Sequence, residues 1–417
     1  MTTHWFFWLF LAFFILHELW ENGLVLLNIA HTKKHAGEIP SFYRDKIEPD
    51  RYAKSIAYTI DKARIGLVVS FIAIPILWAA IFSGFFDSLD LRLSSLIPAG
   101  SLTRSTAYCA VVGLIGIILK IPVSLYSNFV LEAKYGFNKM TAKTFAADFF
   151  KELFLSALLG IPLLYLIFWL YAQTGPVWWL WAFGALFGFQ FFVAAVYPVW
   201  LAPLFNKFTP LAEGELKASI LALAKNIRFK LSGIFTIDGS KRSGHSNAYF
   251  AGMGRMRRIV LFDTLTEQMT NREILSVLAH EMGHNIKKHV VKYLIYSFFY
   301  ALAGFAVLGR VIDWEPLFSA FRAGPPAPHK ALVLFGLFAG YFTFWLTPLW
   351  NAISRRHEYE ADRFSVETTK DKEGMTQALL KLSKENLSNL TPHPLYSFCH
   401  YSHPTTLERI QAINRDY

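Results

Sequence analysis

Seven apolar runs, each long enough to cross a lipid bilayer, constrain this fold more than any other feature of the sequence. A helix needs about 20 mostly apolar residues to span the hydrocarbon core, and unpaired backbone groups are not tolerated there, so such runs must be helical. The chain is 54% hydrophobic and only 17% charged, which is unlike a soluble enzyme. The runs lie at about 4–28, 63–87, 106–130, 153–172, 177–203, 290–312 and 329–352.

Positive charge alternates along the segments between these runs. The segments after the first, third, fifth and seventh runs are rich in Lys and Arg, and the others are not. Because basic loops stay on the cytoplasmic side, we expect an outside N-terminus, with the long segment after the fifth run and the tail in the cytoplasm. The membrane would be a bacterial inner membrane or the endoplasmic reticulum. Membrane topology also explains the net charge of +11, so we expect a lipid bilayer and no nucleic acid as partner.

The pattern divides the chain into four parts: five spans in 1–203, a polar region in 204–289, two more spans in 290–352, and a polar helical tail in 353–417. The polar region contains HEMGH at 280–284, a pattern typical of zinc-binding helices, so we call it the catalytic region. In the catalytic region, 233–237, 247–250 and 258–262 predict strands, the last two joined by a turn at Gly252 and Gly254. We therefore expect an α-helical polytopic membrane protein with a zincin-like α+β catalytic region. An edge strand beside the catalytic helix would let an extended substrate add itself by backbone hydrogen bonds.

The sequence HEMGH at 280–284 predicts a metal site and a base on one helix. His280 and His284 are four residues apart, so they lie one turn apart on one helix face, where both can bind a zinc ion at roughly 2.0–2.1 Å. Glu281 lies beside the open position and suits a general base for a water molecule there. Thr270 and Glu273 predict a capping box at the start of this helix.

A catalytic zinc site needs a third protein ligand, and the segment after the seventh run supplies candidates. Glu358 is a plausible ligand, and Asp362, one turn on, could orient a ligand histidine. The spacing does not exclude His357 or Glu360 as the ligand. In the tail, His403 precedes a proline and Arg409 follows six residues later, a pair that could stabilise an oxyanion or simply belong to the start of a terminal helix.

Charged residues also occur inside the apolar runs. His17, Glu18 and Glu21 form a second HExxE-like cluster in the first run, but nothing nearby supplies further ligands for a metal. Lys120 lies in the middle of the third run. A charge at that depth is costly in lipid, so we expect Glu18 and Lys120 to face water or protein.

Several motifs occur together in this order along the chain: FVLEAKYGFN at 129–138, YPVWLAPLFNKFTPL at 197–211, HSNAYF at 245–250, HEMGH, EYEAD at 358–362, and His403-Pro404. Together they resemble the type-1 CAAX prenyl endopeptidase family of integral-membrane zinc metalloproteases. The resemblance implies a barrel of seven helices around a water-filled chamber, one zinc ion per chain, and cleavage of prenylated CAAX-type or other membrane-associated proteins near the C-terminus. The residues implied are His280, His284 and Glu358 as ligands, Glu281 as base, Asp362 beside a ligand, Asn247 near the substrate, and His403 with Arg409 close to the metal.

The sequence departs from the usual family pattern at Thr405, where a second proline is common, and at Ala251, where a larger residue is usual. Neither is a proposed ligand, so the departures bear on substrate preference. A membrane transporter or channel with a structural zinc remains the alternative from another class. It predicts four protein ligands and no free base, which Glu281 argues against.

Overall fold

The described part of the chain contains seven helices that are long and apolar enough to cross a membrane, as the hydropathy predicts. The structure is a computed structural model that describes residues 5–98, 100–252 and 257–416. Residue 4 and Gly254, which entered the predictions above, lie outside the described residues. The expected α-helical membrane fold with a small α+β region is confirmed.

Among the described residues, the first half of the chain forms eight α-helices. Two π-helical turns, Ser127–Glu132 and Tyr197–Leu201, extend α4 and α7 into the short helices that follow them. The helices are α1 (Trp5–Lys34), α2 (Pro49–Phe82), α3 (Phe85–Ser94), α4 (Leu102–Tyr126), α5 (Ala133–Tyr135), α6 (Ala142–Gln173), α7 (Trp178–Val196) and α8 (Ala202–Phe205).

The helices extend beyond the predicted spans because hydropathy marks only the part of a helix that is apolar. The segment 29–62, expected as a polar connection, is largely helical, since α1 continues to Lys34 and α2 begins at Pro49. These extensions are stabilised by burial: Ile29, Tyr52 and Ile56 pack into a core shared with the C-terminal tail.

The catalytic region contains a four-stranded sheet in the order β1-β2-β4-β3. β2 and β4 are parallel and the other pairs are antiparallel, so the predicted β3–β4 hairpin is confirmed, and β3 is an edge strand packed against the catalytic helix. β1, three residues ending in a proline, was not predicted. The elements are β1 (Phe208–Pro210), α9 (Glu215–Asn226), β2 (Gly233–Ile237), β3 (Ala248–Ala251), β4 (Arg258–Phe262), α10 (Asp263–Gln268) and α11 (Asn271–Ile286).

The remainder of the chain is helical. Helical structure continues past the predicted end of the seventh span near residue 352, because a 3-10 turn at Phe344–Leu346 leads into a second long helix that carries the EYEAD motif. The helices are α12 (His289–Val311), α13 (Glu315–Ala320), α14 (Pro328–Thr343), α15 (Thr347–Thr369), α16 (Lys372–Glu385), α17 (Pro394–His400) and α18 (Thr406–Asp416).

The long helices form a closed ring. Going round it, α1 packs on α2, α2 reaches α4 through α3, and α4, α6, α7, α12 and α14 follow until α14 meets α1. A helix in a solid bundle would bury a stripe along its inner side. Here 0% of the most apolar stretch of α12 is buried, and 6% in each of the second and third spans. The middle of the ring is therefore hollow, and we call this space the chamber.

The two ends of the chamber are closed by packed cores. At the end away from HEMGH, an aromatic core joins the start of α1 and α14 to the end of α2 and α12, with Phe10, Phe318 and Phe321 at its centre. At the other end, the sheet, α11 and the tail helices form three further cores. The site therefore lies at one end of the chamber.

Candidate active site

Helix α11 begins with the capping box that the sequence predicts. The Thr270 hydroxyl accepts from the backbone N–H of Glu273 at 3.3 Å, and the Glu273 carboxylate accepts from the backbone N–H of Thr270 at 2.7 Å. One face of the helix, including Ile274, Leu278 and Met282, is buried against the sheet. The helix is thus fixed at its start and along one side, which leaves the face with the two histidines turned toward α15.

Gly283 allows α11 and α15 to approach closely. A Cβ at this position would lie 3.3 Å from the Cα of Ala361 and 3.1 Å from the Phe364 ring. The glycine of HEMGH and the alanine of EYEAD are therefore the two small residues at this crossing. Their small size lets the carboxylate of Glu358 reach the pair of histidines.

His280, His284 and Glu358 converge on one point. Their ligand atoms all lie within 4.8 Å of one another, the only such group of three among the described residues. The two Nε2 atoms are 3.0 Å apart, and Glu358 has one oxygen 3.4 Å from His280 Nε2 and the other 3.3 Å from His284 Nε2. Zinc ligands at roughly 2.0–2.1 Å in a tetrahedron require separations of about 3.3 Å.

The chemistry of this group also fits a cation. Glu358 is buried, and its Oε2 accepts no hydrogen bond from the described residues. A buried carboxylate oxygen without a hydrogen bond is costly, and a bound metal ion removes that cost. His357 and Glu360, the alternative ligands that spacing left open, do not join the group, because both lie against His289 on another side of α15.

Asp362 and Arg409 hold His280. The carboxylate of Asp362 accepts from His280 Nδ1 at 2.8 Å, so the Nε2 lone pair of this ring is free to face the centre of the site. Arg409 donates through Nε and Nη2 to the two oxygens of Asp362, at 2.8 and 2.5 Å. This two-point contact fixes the carboxylate, and it engages Arg409 mainly with Asp362.

His284 is held through a further histidine that the sequence analysis missed. His289 Nε2 lies 3.1 Å from Glu360 Oε2, and its Nδ1 lies 2.9 Å from His284 Nδ1. Because a carboxylate only accepts, His289 Nε2 carries the proton and its Nδ1 accepts from His284 Nδ1. The Nε2 lone pair of His284 then also faces the centre. A third histidine five residues after HEMGH was the signal in the sequence.

A turn in left-handed conformation brings His289 into place. Lys288, between α11 and α12, has φ 59°, and this reversal sets the first residue of α12 against the last turn of α11. His289 is 1% exposed and stacks on His357 with ring centroids 4.0 Å apart. The ring therefore has little freedom to turn away from His284.

The cleft beside His280, His284 and Glu358 has a volume of about 300 Å³. Burial raises the pKa of Glu281 in this cleft, although the neighbouring rings of His280 and His284 oppose the shift. His403 is 63% exposed at its side chain, with Nε2 3.4 Å from Glu358 Oε1. The other polar residues of the cleft are Asn247, which is exposed directly before the edge strand β3, together with Ser246, Asn386 and Arg409.

The segment that carries Asn247 is anchored by parts of the chain far away in sequence. His245 stacks on Phe137 with centroids 3.9 Å apart, and its Nδ1 lies 3.0 Å from Asn386 Oδ1. Its Nε2 lies 3.4 Å from Glu132 Oε2. The family-like stretch at 129–138 therefore supports the HSNAYF segment from behind, a contact that no spacing rule could have revealed.

The charged residues of the first span lie apart from this site. His17 Nδ1 is 3.1 Å from Glu18 Oε1, and Glu18 Oε2 accepts from Ser70 at 3.1 Å. Glu21 lies 3.6 Å from His400 Nε2. These contacts are pairwise, and the cluster contributes no third ligand atom within the described residues.

The family comparisons cover almost the whole chain. Residues 28–207 match a family described as CAAX prenyl protease N-terminal, five membrane helices, and residues 210–416 match peptidase family M48. The second match contains the three converging side chains, the cleft and the helix that bears Arg409.

Similar proteins match over nearly their full length. The chain is 34% identical to CAAX prenyl protease 1 of Saccharomyces cerevisiae, over 90% of this chain and 88% of the yeast protein. It is 36% identical to the Arabidopsis thaliana homologue, with 97% and 96% covered, and 30% identical to the human homologue, with 95% and 92% covered. A crystal structure of S. mikatae Ste24p covers 100% of both chains, with a TM-score of 0.91 and 33% identity.

Proposed function

The chain belongs to peptidase family M48 and is a multi-pass membrane metalloprotease, and we propose that it cleaves prenylated CAAX-type or other membrane-associated proteins near their C-termini. The transporter or channel alternative is not favoured by this membership. The proposal rests above all on one observation. His280, His284 and Glu358 converge at one end of the chamber, beside the cleft that Glu281 lines.

We assign one zinc ion per chain to His280, His284 and Glu358. A zinc ion bound there would polarise the scissile carbonyl and acidify a water molecule. Glu281 takes the proton of the attacking water and later passes it to the amine that leaves. The raised pKa of this buried carboxyl suits both steps, since it makes the group a stronger base than an exposed glutamate.

The other predicted residues would orient the site and the substrate. Asp362, held by Arg409, keeps His280 in the tautomer that presents Nε2 inward. His403 lies at the edge of the cleft, where it can donate to the oxyanion as the carbonyl is attacked. Asn247 and the free edge of β3 would align an extended substrate by hydrogen bonds.

We propose that the protein lies in the endoplasmic reticulum membrane or in a bacterial inner membrane, with its catalytic end facing the cytoplasm. The alternation of basic loops supports this orientation. Lipid-modified protein substrates are held at the membrane surface, so a site at the end of a membrane-embedded chamber can reach them.

The purified protein should be assayed on CAAX peptides with and without a prenyl group, alongside Glu281→Gln and Glu358→Ala. We expect cleavage of the prenylated peptide by the wild type. Glu281→Gln should keep one zinc per chain and lose nearly all turnover, because the base is gone and the ligands remain. Glu358→Ala should lose zinc under mild chelation.

Three outcomes would contradict the proposal. Loss of zinc from Glu281→Gln would mean that this side chain holds the metal and is not the base. Full zinc retention in Glu358→Ala would point to His357 or Glu360 as the ligand. Failure of the wild type to cut any CAAX peptide would reject the substrate class.

A further inference from the structure

A second, larger cavity lies next to the site, and nothing in the mechanism above uses it. Its volume is about 770 Å³, within the range of ~300–1,000 Å³ typical of pockets that enclose a small ligand. Its walls come from α1, α12, α14 and α15. We call this cavity the tyrosine pocket. Its aromatic lining comprises Tyr293, Tyr296, Tyr300, Tyr341, Phe344 and Trp350.

The tyrosine pocket opens on the inner side of the ring. On α1, the outward side carries apolar residues such as Leu16 and Leu19, which are 53% and 69% exposed. The pocket instead includes His17, whose ring contacts Tyr341 and Phe344 at centroid distances of 5.0 and 4.4 Å. The polar side of α1 therefore faces this pocket, and the pocket belongs to the chamber and not to the lipid-facing surface.

The pocket reaches the catalytic site through one contact. Tyr293, which lines the pocket, packs on His357 with ring centroids 5.1 Å apart, and His357 is the neighbour of the ligand Glu358. Trp350 lies two turns before Glu358 on the same helix, about 12 Å along the axis at 1.5 Å per residue. A group attached to a substrate at the metal site would thus need to span about 12 Å along α15 to reach the pocket.

The two cavities share no lining residue, and their linings follow opposite directions along the chain from the metal ligands. The cleft continues toward Val277, one turn before His280, and is lined there by Leu379 and Leu382. The tyrosine pocket lies beyond His284, where α12 begins with His289 and continues to Tyr293. A substrate that crosses the site would therefore place one flank of the cleaved bond in each cavity.

From this arrangement, and on the basis of the proposed function, we infer that the tyrosine pocket binds the isoprenoid chain of the substrate. A CAAX sequence has a prenylated cysteine followed by aliphatic residues. The small cleft, with its aliphatic walls, takes an aliphatic side chain after the cleaved bond. The tyrosine pocket takes the farnesyl or geranylgeranyl chain on the cysteine before it.

The lining suits a long unsaturated hydrocarbon. It contains no Asp, Glu, Lys or Arg among the described residues. Trp350 lies 5.8 Å from Tyr296 and 6.5 Å from Tyr300 between ring centroids, which makes one continuous aromatic wall. Tyrosine and tryptophan rings bury apolar surface while their polar atoms stay hydrated, as a chamber that also admits water requires.

Gly340 provides a direct test because it lines the pocket and a Cβ there would meet nothing within 4 Å. Gly340→Leu should fill pocket volume without displacing a neighbour. Gly336→Leu is the matched control, one turn away on α14, with equally free space and outside the pocket. Both variants should keep zinc.

We expect Gly340→Leu to lower kcat/KM for farnesylated and geranylgeranylated peptides by about tenfold or more, mainly through KM. The reason is that part of the apolar surface of the isoprenoid then stays in water. The loss should be larger for the longer chain, and Gly336→Leu should match the wild type. As a second measurement, a peptide with a photoreactive isoprenoid should label the pocket helices α1, α12, α14 or α15 in Glu281→Gln, and lose that labelling when Gly340→Leu is added.

Equal kinetics for Gly340→Leu and Gly336→Leu on both prenylated peptides would overturn the inference, as would a label mapped to other helices. Failure of the proposed function looks different. In that case the wild type cuts no CAAX peptide at all, while the labelling still reports whether the pocket takes an isoprenoid.

Discussion

Each of the two histidines proposed as zinc ligands is held by a carboxylate, but by a different route. Asp362 contacts His280 directly and is itself fixed by Arg409. Glu360 acts on His284 only through the ring of His289. Partners of this kind fix the tautomer of a metal-binding histidine and typically change metal affinity about 10–100-fold.

His289→Ala should therefore weaken zinc binding by about 10–100-fold, because His284 loses the acceptor that fixes its Nε2 lone pair inward. Competition with a chelator measures this without reference to turnover. His289→Asn, whose side chain offers an oxygen acceptor, should recover part of the affinity. His35→Ala, at a half-buried histidine one residue after the end of α1, is the control. Unchanged zinc affinity in His289→Ala would mean that the ring is only a packing residue.

His403→Ala should lower kcat more than it raises KM. An oxyanion donor typically contributes about 2.7–4 kcal/mol to the barrier, which is a loss of several hundredfold. The ring is well exposed beside Glu358, so its removal should not disturb the core. Steady-state kinetics with zinc-loaded protein measure the split. An effect on KM alone would show that His403 contacts only the bound substrate.

At the level of helices, the site depends on how closely α11 and α15 cross. Gly283→Leu should push the helices apart, because its Cβ alone would already lie 3.3 Å from the Ala361 Cα. The carboxylate of Glu358 would then withdraw from the two histidines, and zinc content should fall. Metal analysis after dialysis tests this, with Gly304→Leu on α12, where a Cβ meets nothing within 4 Å, as control. Full zinc occupancy in Gly283→Leu would show that the crossing is more adaptable.

The tail helix α18 shows why the departure at Thr405 leaves the site intact. The backbone N–H of Thr405 donates to Glu408 Oε2 at 2.7 Å, and the Thr405 hydroxyl accepts from the backbone N–H of Glu408 at 3.3 Å. This is the pattern of a capping box, and the T-x-x-E spacing in the sequence could have revealed it. It fixes the turn that carries Arg409 toward Asp362.

For the molecule as a whole, the hollow ring predicts that water reaches deep into the membrane part. Cysteines at Glu18 and Lys120, on a background lacking Cys109 and Cys399, should react with a small water-soluble thiol reagent in intact membranes. The reason is cost: a charge at the bilayer centre is unfavourable by at least ~2.5 kcal/mol, so both side chains should face water.

Leu19→Cys, on the outward side of α1, is the lipid-facing control and should stay unreactive. Protection of both Glu18→Cys and Lys120→Cys, at the level of this control, would show that the chamber does not reach them.

The sequence by itself determined the number of spans, the helix with HEMGH, its capping box and the β3–β4 hairpin. These features are local: an apolar run, a four-residue repeat of histidines or an alternation of apolar residues acts within one element. The motifs at 245–250, 280–284 and 358–362 could also be found, because each is contiguous in the chain.

Only the tertiary structure decided which side chains meet. That Glu358, and not its neighbours His357 or Glu360, meets His280 and His284 depends on which face of α15 lies against α11. The helix ends beyond the apolar runs, the contact of His289 with His284, and the tyrosine pocket depend on packing between segments far apart in sequence. Such contacts are fixed by the complementary shapes of whole elements, which no short stretch of residues encodes.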